Sequence, residues 1–167
     1  AEITDEQLLA HVPEWHFAAY RARYPSASEP LAAGQTLLVE AADTVTSAPE
    51  LVRLTLNLAM THTDATRSVY GKRLVYGGHT IAIASKQLAM GLPHILQILA
   101  WYRCDHVGPV FEGDVLSSQI TIKETQKVQD ATVAKLAVEV FAKRGPEAPS
   151  DLPDAKVLDW SLAVLLP

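Results

Sequence analysis

The chain is poor in cysteine: Cys104 is the only one in 167 residues. That excludes an internal disulfide and any zinc module built on clustered cysteines. Long apolar runs are also missing, and none approaches the ~20 residues a membrane-spanning helix needs. Positive charge is in the minority, with 14 Lys and Arg against 19 Asp and Glu and a formal net charge of −5. Nonspecific binding to nucleic acid or an anionic membrane needs a basic face, so both partner classes are set aside. The opening Ala1-Glu2-Ile3-Thr4-Asp5 is acidic, unlike the basic start of a signal peptide. Against these absences stand 49% hydrophobic and only 20% charged residues, a balance too apolar for a disordered chain. The length suits one domain with a substantial core. The expectation is a soluble, cytoplasmic globular protein.

Residues 1–34 differ in texture from the rest of the chain. Thr4-Asp5-Glu6-Gln7 reads as a helix start, with Gln7 three residues after a capping Thr4, and that helix is expected to end near Pro13. Trp15, Phe17 and Tyr20 precede an irregular stretch marked by Pro25, Ser26, Ser28 and Pro30. This part reads as an arm laid on the main body, which is expected over residues 35–167. Thr36 to Thr46 suits a strand entering a polar turn. Pro49 can open a helix, and Leu51, Leu54 and Leu58 lie at helical spacing over 50–59. Residues 61–73 carry no period. Gly77 to Met90 is almost wholly apolar, so a buried helix of about four turns is expected, stopped by a left-handed Gly91 and by Pro93. Strand-like runs come after it at 95–106, 115–123, 132–143 and 157–162, with period-two alternation clearest in the middle two. One helix and a meander of antiparallel strands curved around it define an α+β fold.

Six of the eight glycines and four of the six histidines lie between Thr61 and Asp114. Glycine supplies backbone freedom and histidine proton chemistry near neutral pH, so a site is sought there. In the run Asn57 to Asp64, His62 can exchange a proton, and Asn57 or Asp64 could orient it or a water molecule. The plainer reading makes Asp64 a turn cap and His62 a satisfied loop histidine. No third ligand at a fitting spacing accompanies His62 and Asp64, so no metal is expected. In Val75-Tyr76-Gly77-Gly78-His79, a helix begins on two glycines. Its unpaired N–H groups could receive a developing oxyanion, or the glycines could merely permit tight packing. In the run Asp105 to Asp114, Gly108-Pro109 and Gly113-Asp114 read as turns, and Asp105 and His106 as structural.

Together, Asn57…His62-Thr63-Asp64, Tyr70 to Ile81 and His106 to Asp114 resemble the MaoC-type hot-dog hydratases over roughly residues 36–165. The likeness is strongest to the branch acting on mesaconyl-CoA (2-methylfumaryl-CoA), itaconyl-CoA and related short acyl-CoA thioesters. The resemblance implies a single hot-dog fold, a long helix wrapped by a curved antiparallel sheet, and reversible hydration of a 2-enoyl-CoA. It implies an Asp and a His holding the water, and places them at Asn57 and His62. The Asp is thus an Asn here, and the Asn-Pro usual between the two is Ala59-Met60. The thioester oxygen would meet N–H groups around Gly77, Gly78 and His79, with Tyr76, Arg67, Lys72 and Arg73 near the substrate. No cofactor is implied beyond the coenzyme A of the substrate. Hot-dog hydratases pair two units, so a homodimer is expected.

Two other readings stay open. A hot-dog thioesterase branch carries His-Gly-Gly followed by an acid, whereas Tyr76-Gly77-Gly78 is followed at the matching position by Ser85. A non-catalytic partner subunit of a heterodimeric dehydratase would explain Asn57 but not the retained His62.

Overall fold

A computed structural model describes residues 3–12 and 14–167. Pro13, the expected end of the first helix, lies outside the described residues. Helix α1 (Asp5–Leu9) starts on the expected capping box, with Gln7 N–H donating to Thr4 Oγ1 and Thr4 N–H to Gln7 Oε1. A second short helix, α2 (Ala18–Arg23), precedes the stretch read as irregular, and a 3₁₀ turn (Pro25–Ser28) lies within it. Strand β1 (Thr36–Thr44) then leads to α3 (Ala48–Leu54), with Pro49 in its first turn.

Helix α3 stops at Leu54 instead of reaching Ala59. The Thr55 hydroxyl donates back to Leu51 O, and Leu56 takes φ of 54°, a left-handed conformation that ends the helix. Of the leucines at helical spacing, Leu54 and Leu58 therefore point outward, 80% and 91% exposed, as does the neighbouring Leu56 at 80%.

The long helix forms as expected, α4 (Gly77–Gly91). Thr80, Ala84, Gln87 and Leu88 are buried on its sheet side, whereas Lys86 and Met90 are exposed. It is covered on one side, not all round. Gly91 is its last residue and is not among the glycines with positive φ. A Cβ there would stand 2.7 Å from Ile120 Cδ1, so close packing on the sheet, not a left-handed stop, explains that glycine.

Strands β2 (Gln97–His106), β3 (Val115–Val128), β4 (Ala131–Lys143) and β5 (Ala155–Leu166) complete one antiparallel sheet in the order β1-β3-β4-β5-β2. The central three form the expected meander. β2 departs from it, crossing to the far edge beside β5. Leu116, Ile120 and Ile122 on β3 and Leu136, Val138 and Val140 on β4 face α4 with no exposed surface. Each such side chain stabilises by about 1.5–3 kcal/mol on burial. On the opposite face, Leu8, Val12 and Phe17 of the N-terminal segment cover Ala131, Val133, Ala163 and Leu165. β5 is thereby buried from both sides. Among the described residues no helix is long and apolar enough to cross a membrane.

Candidate active site

The site is built on a short extended segment, Leu74 to Tyr76, which enters α4 and is gripped from both sides. On one side Leu74 N–H donates to Thr61 O, and His62 Nδ1 lies 2.9 Å from Leu74 O. On the other, Val75 N–H donates to Val110 O at 2.8 Å. A carbonyl only accepts, so His62 carries a proton on Nδ1, and in the neutral imidazole the lone pair falls on Nε2. Tyr76 packs edge-on against His62, with ring centroids 5.9 Å apart.

At the start of α4, His79 N–H donates to Tyr76 O. The N–H groups of Gly77 and Gly78 donate to no atom among the described residues. Two open donors thus remain at the positive end of the helix dipole. The glycines also make room for rings. A Cβ on Gly77 would stand 2.5 Å from His106 Nε2, and one on Gly78 would stand 2.5 Å from the Tyr76 ring. His106, read from sequence as structural, therefore lies against the α4 turn. The sequence marks it only as one of the clustered histidines and as the start of the 106–114 motif, because its fit against the turn depends on where β2 ends.

Three imidazoles, His62, His79 and His106, surround this turn. Burial pushes His79 below the ordinary histidine range, with Glu112 pulling the other way, and His79 Nδ1 is buried with no partner among the described residues. Burial against the turn also lowers His106. Both are thereby held neutral at physiological pH.

The remaining sequence candidates are dispersed. Asn57 Oδ1 accepts from Ala59 N–H at 2.9 Å, closing its own loop. Asp64 accepts from the Thr66 N–H and hydroxyl, which hold its carboxyl below the usual range. It caps the 3₁₀ turn Ala65–Arg67, and no hydrogen bond links it to His62 among the described residues. Arg67 is exposed. Arg73 and Lys72 stand 3.9 Å from Glu112 and Glu147, surface pairs of little energetic weight. A cavity of about 860 Å³ lies elsewhere, beneath the N-terminal segment beside Gly91, Leu92 and His94. It is at the other end of α4 from the glycine turn.

What this arrangement can do is bounded by its groups. It offers a base in His62 Nε2, two backbone donors suited to an oxyanion, and no carboxylate hydrogen-bonded to that base among the described residues.

No family model matches the chain. It is 34% identical over 96 residues to mesaconyl-CoA hydratase of Cereibacter sphaeroides, an alignment covering 57% of this chain and 28% of that one. Among solved structures, a Mycobacterium tuberculosis protein with a double hot-dog fold superposes with a TM-score of 0.75 at 42% identity, over 90% of this chain and 44% of that chain. A MaoC-like dehydratase from Rhodospirillum rubrum shares the fold at a TM-score of 0.67 and 20% identity, over 81% of this chain and 92% of that chain. The chain therefore spans less than half the length of the first two and almost all of the third.

Proposed function

We propose, from the premise that this chain belongs to the MaoC-like hot-dog hydratase family, that it takes part in reversible hydration of a short 2-enoyl-CoA thioester. The observation that carries the reading is the bond from His62 Nδ1 to Leu74 O. It leaves Nε2 of the neutral ring available as a base, on the segment that leads through Tyr76 to the two open donors at Gly77 and Gly78. With the thioester oxygen received by those donors, electron density is drawn from the double bond, Cβ becomes electrophilic and negative charge developing on the oxygen is stabilised. Water adds its oxygen to Cβ as Nε2 takes its proton. The imidazolium then returns a proton to Cα, so that H and OH are added overall and His62 is regenerated. Asn57 can hold the water through its amide N–H groups but cannot accept a proton, so His62 works without a second base. Asp64 is left a structural part. Arg67, Lys72 and Arg73 belong to the segment that leads through Tyr76 into α4, and arginine and lysine there would suit coenzyme A phosphates or a substrate carboxylate. A coenzyme A substrate agrees with a cytoplasmic location.

The same reading includes a second hot-dog unit, a copy of this chain in a homodimer, covering the leucines at 54, 56 and 58. A different reading draws support from Asn57: with its carbonyl spent on Ala59 N–H, this unit could be the non-catalytic half of a paired dehydratase.

Incubating the purified protein with crotonyl-CoA separates these readings. Loss of enoyl-thioester absorbance without free thiol is the expected result. Thiol release would indicate a thioesterase, and turnover only after adding a second chain would indicate the partner half. His62→Ala should lower hydration by at least ~10²-fold with the circular dichroism unchanged. Full activity in that variant would remove His62 from the mechanism.

A further inference from the structure

We infer that Arg144 and Asp114 are the positioning pair of the candidate site: they hold the loop whose Val110 carbonyl sets the Leu74–Gly77 segment, and with it the tautomer of His62. The inference rests on the hydratase reading for its consequence in catalysis, and on hydrogen-bond geometry alone for its structural part.

Asp114 is fully buried and Arg144 almost so, with 9% of its side chain exposed. One Asp114 oxygen accepts from Phe111 N–H at 3.0 Å and Arg144 Nη1 at 2.8 Å; the other accepts from Gly145 N–H at 2.8 Å. The same Nη1 reaches Pro109 O at 2.8 Å, and Arg144 Nε reaches Pro153 O at 2.9 Å. Residues 109–111 are therefore gripped at both ends. Between the grips, the Val110 carbonyl accepts Val75 N–H. Adjacent in the chain, Leu74 O receives the His62 proton and Gly77 opens α4. The path from Arg144 to the base runs through hydrogen bonds of 2.8–2.9 Å and two residues of extended backbone.

The surroundings favour one arrangement of this loop. Phe111 is fully buried and packs edge-on against Tyr70. Val45 and the Gly113-Asp114 turn exchange two backbone bonds. A Cβ on Gly145 would fall on the backbone of Gly113, so the close seat beside Asp114 needs glycine there. A displaced Val110 carbonyl would leave Val75 N–H unpaired and free the segment to shift, and Leu74 O would no longer stand opposite Nδ1. His62 would then populate the Nε2–H tautomer, which cannot act as a base toward water at that nitrogen. Lysine at 144 keeps the charge but lacks the planar fork that serves two carbonyls and a carboxylate at once.

The test uses Arg144→Lys and, because a broken buried pair can unfold a protein, the milder Asp114→Asn as well. The readout is the imidazole ¹⁵N spectrum of His62, assigned by its loss in His62→Gln, with butyryl-CoA affinity and crotonyl-CoA turnover measured beside it. The wild type should show protonated Nδ1 and unprotonated Nε2. A folded variant should show mixed tautomers, a kcat lowered about tenfold and KM within twofold. A folded Arg144→Lys and Asp114→Asn that both keep the wild-type His62 spectrum overturn the inference, whatever their melting temperatures. So does failure of both variants to fold, since the pair would then hold the whole fold and not the site. If the wild type does not turn over crotonyl-CoA yet the tautomer shifts in the variants, the positioning role stands and the hydratase reading falls.

Discussion

The two walls of the candidate site differ in how they are held. The Val107–Asp114 wall is bonded throughout: Phe111 and Asp114 have no exposed surface, and backbone groups are matched to Val45, Val75 and Val157. The loop of residues 54–60, which leads into His62, puts Leu54, Leu56, Leu58 and Met60 into solvent, between 53% and 91% exposed. A surface with four neighbouring large apolar residues differs from the scattered ones any protein shows. One wall is finished within this unit, and the other has an apolar face that a second unit would complete.

Breaking the bonded wall should have the largest effect. Phe111→Ala empties a fully buried site and removes the contact with Tyr70. It should cost about 3–5 kcal/mol of unfolding free energy in urea titration. A loss below about 1 kcal/mol would mean that this wall is not the rigid one. A smaller effect comes from pH. His79 and His106, both at this wall, have folded pKa values lowered by burial. The unfolded chain therefore binds more protons as pH drops through about 6.5, and stability falls with it. Asp43, Asp64 and Asp130, also lowered in the folded state, lose their contribution only at lower pH, around and below the ordinary carboxylate value near 4. The urea midpoint should thus be lower at pH 5.5 than at pH 7.5, and His79→Leu should flatten the difference. Residues 54–60 hold no titratable side chain, so changes there should leave this slope alone.

Polar replacement in the open loop sharpens the contrast. Leu54→Ser with Leu58→Ser removes two side chains that are 80% and 91% exposed, so the unit's own stability should move by no more than about 0.5 kcal/mol. Self-association, followed as weight-average mass across a concentration series in light scattering, should weaken markedly. Unchanged association would mean that a second copy does not sit on this loop.

The period-two alternation that makes β3 and β4 legible also explains why the open loop deceives. Alternation along a strand reports which face meets the core, and Leu116, Ile120, Leu136 and Val138 all follow it. The spacing of Leu51, Leu54 and Leu58 has the same form at helical period, but Thr55 and Leu56 end α3 before it can be used. α2 has no buried residue and so no apolar period to find. At the site, the glycine pair and His62 stand out because special backbone and proton chemistry need particular residue types. Arg144 does not, since its role depends on distant strand ends meeting, and for the same reason the place of His106 against the turn is not legible although its motif is. In sequence Arg144 is one more cation at the end of a strand, and only β4 beside the 109–114 loop gives it partners.

Leu56 offers the finest discrimination between the two walls. Its φ of 54° costs a non-glycine residue about 1–2 kcal/mol, whereas its side chain, 80% exposed, returns little by burial. Glycine removes the strain but gives up about 0.5–1 kcal/mol of backbone entropy. Leu56→Gly should therefore stabilise the isolated unit by about 0.5 kcal/mol, read as a higher urea midpoint at dilute concentration. Where a second copy covers the loop, the same change would delete an apolar contact, so the gain should shrink or reverse as concentration rises. A strained residue that stabilises only in company is what an interface loop requires, and a gain independent of concentration would return Leu56 to a simple turn.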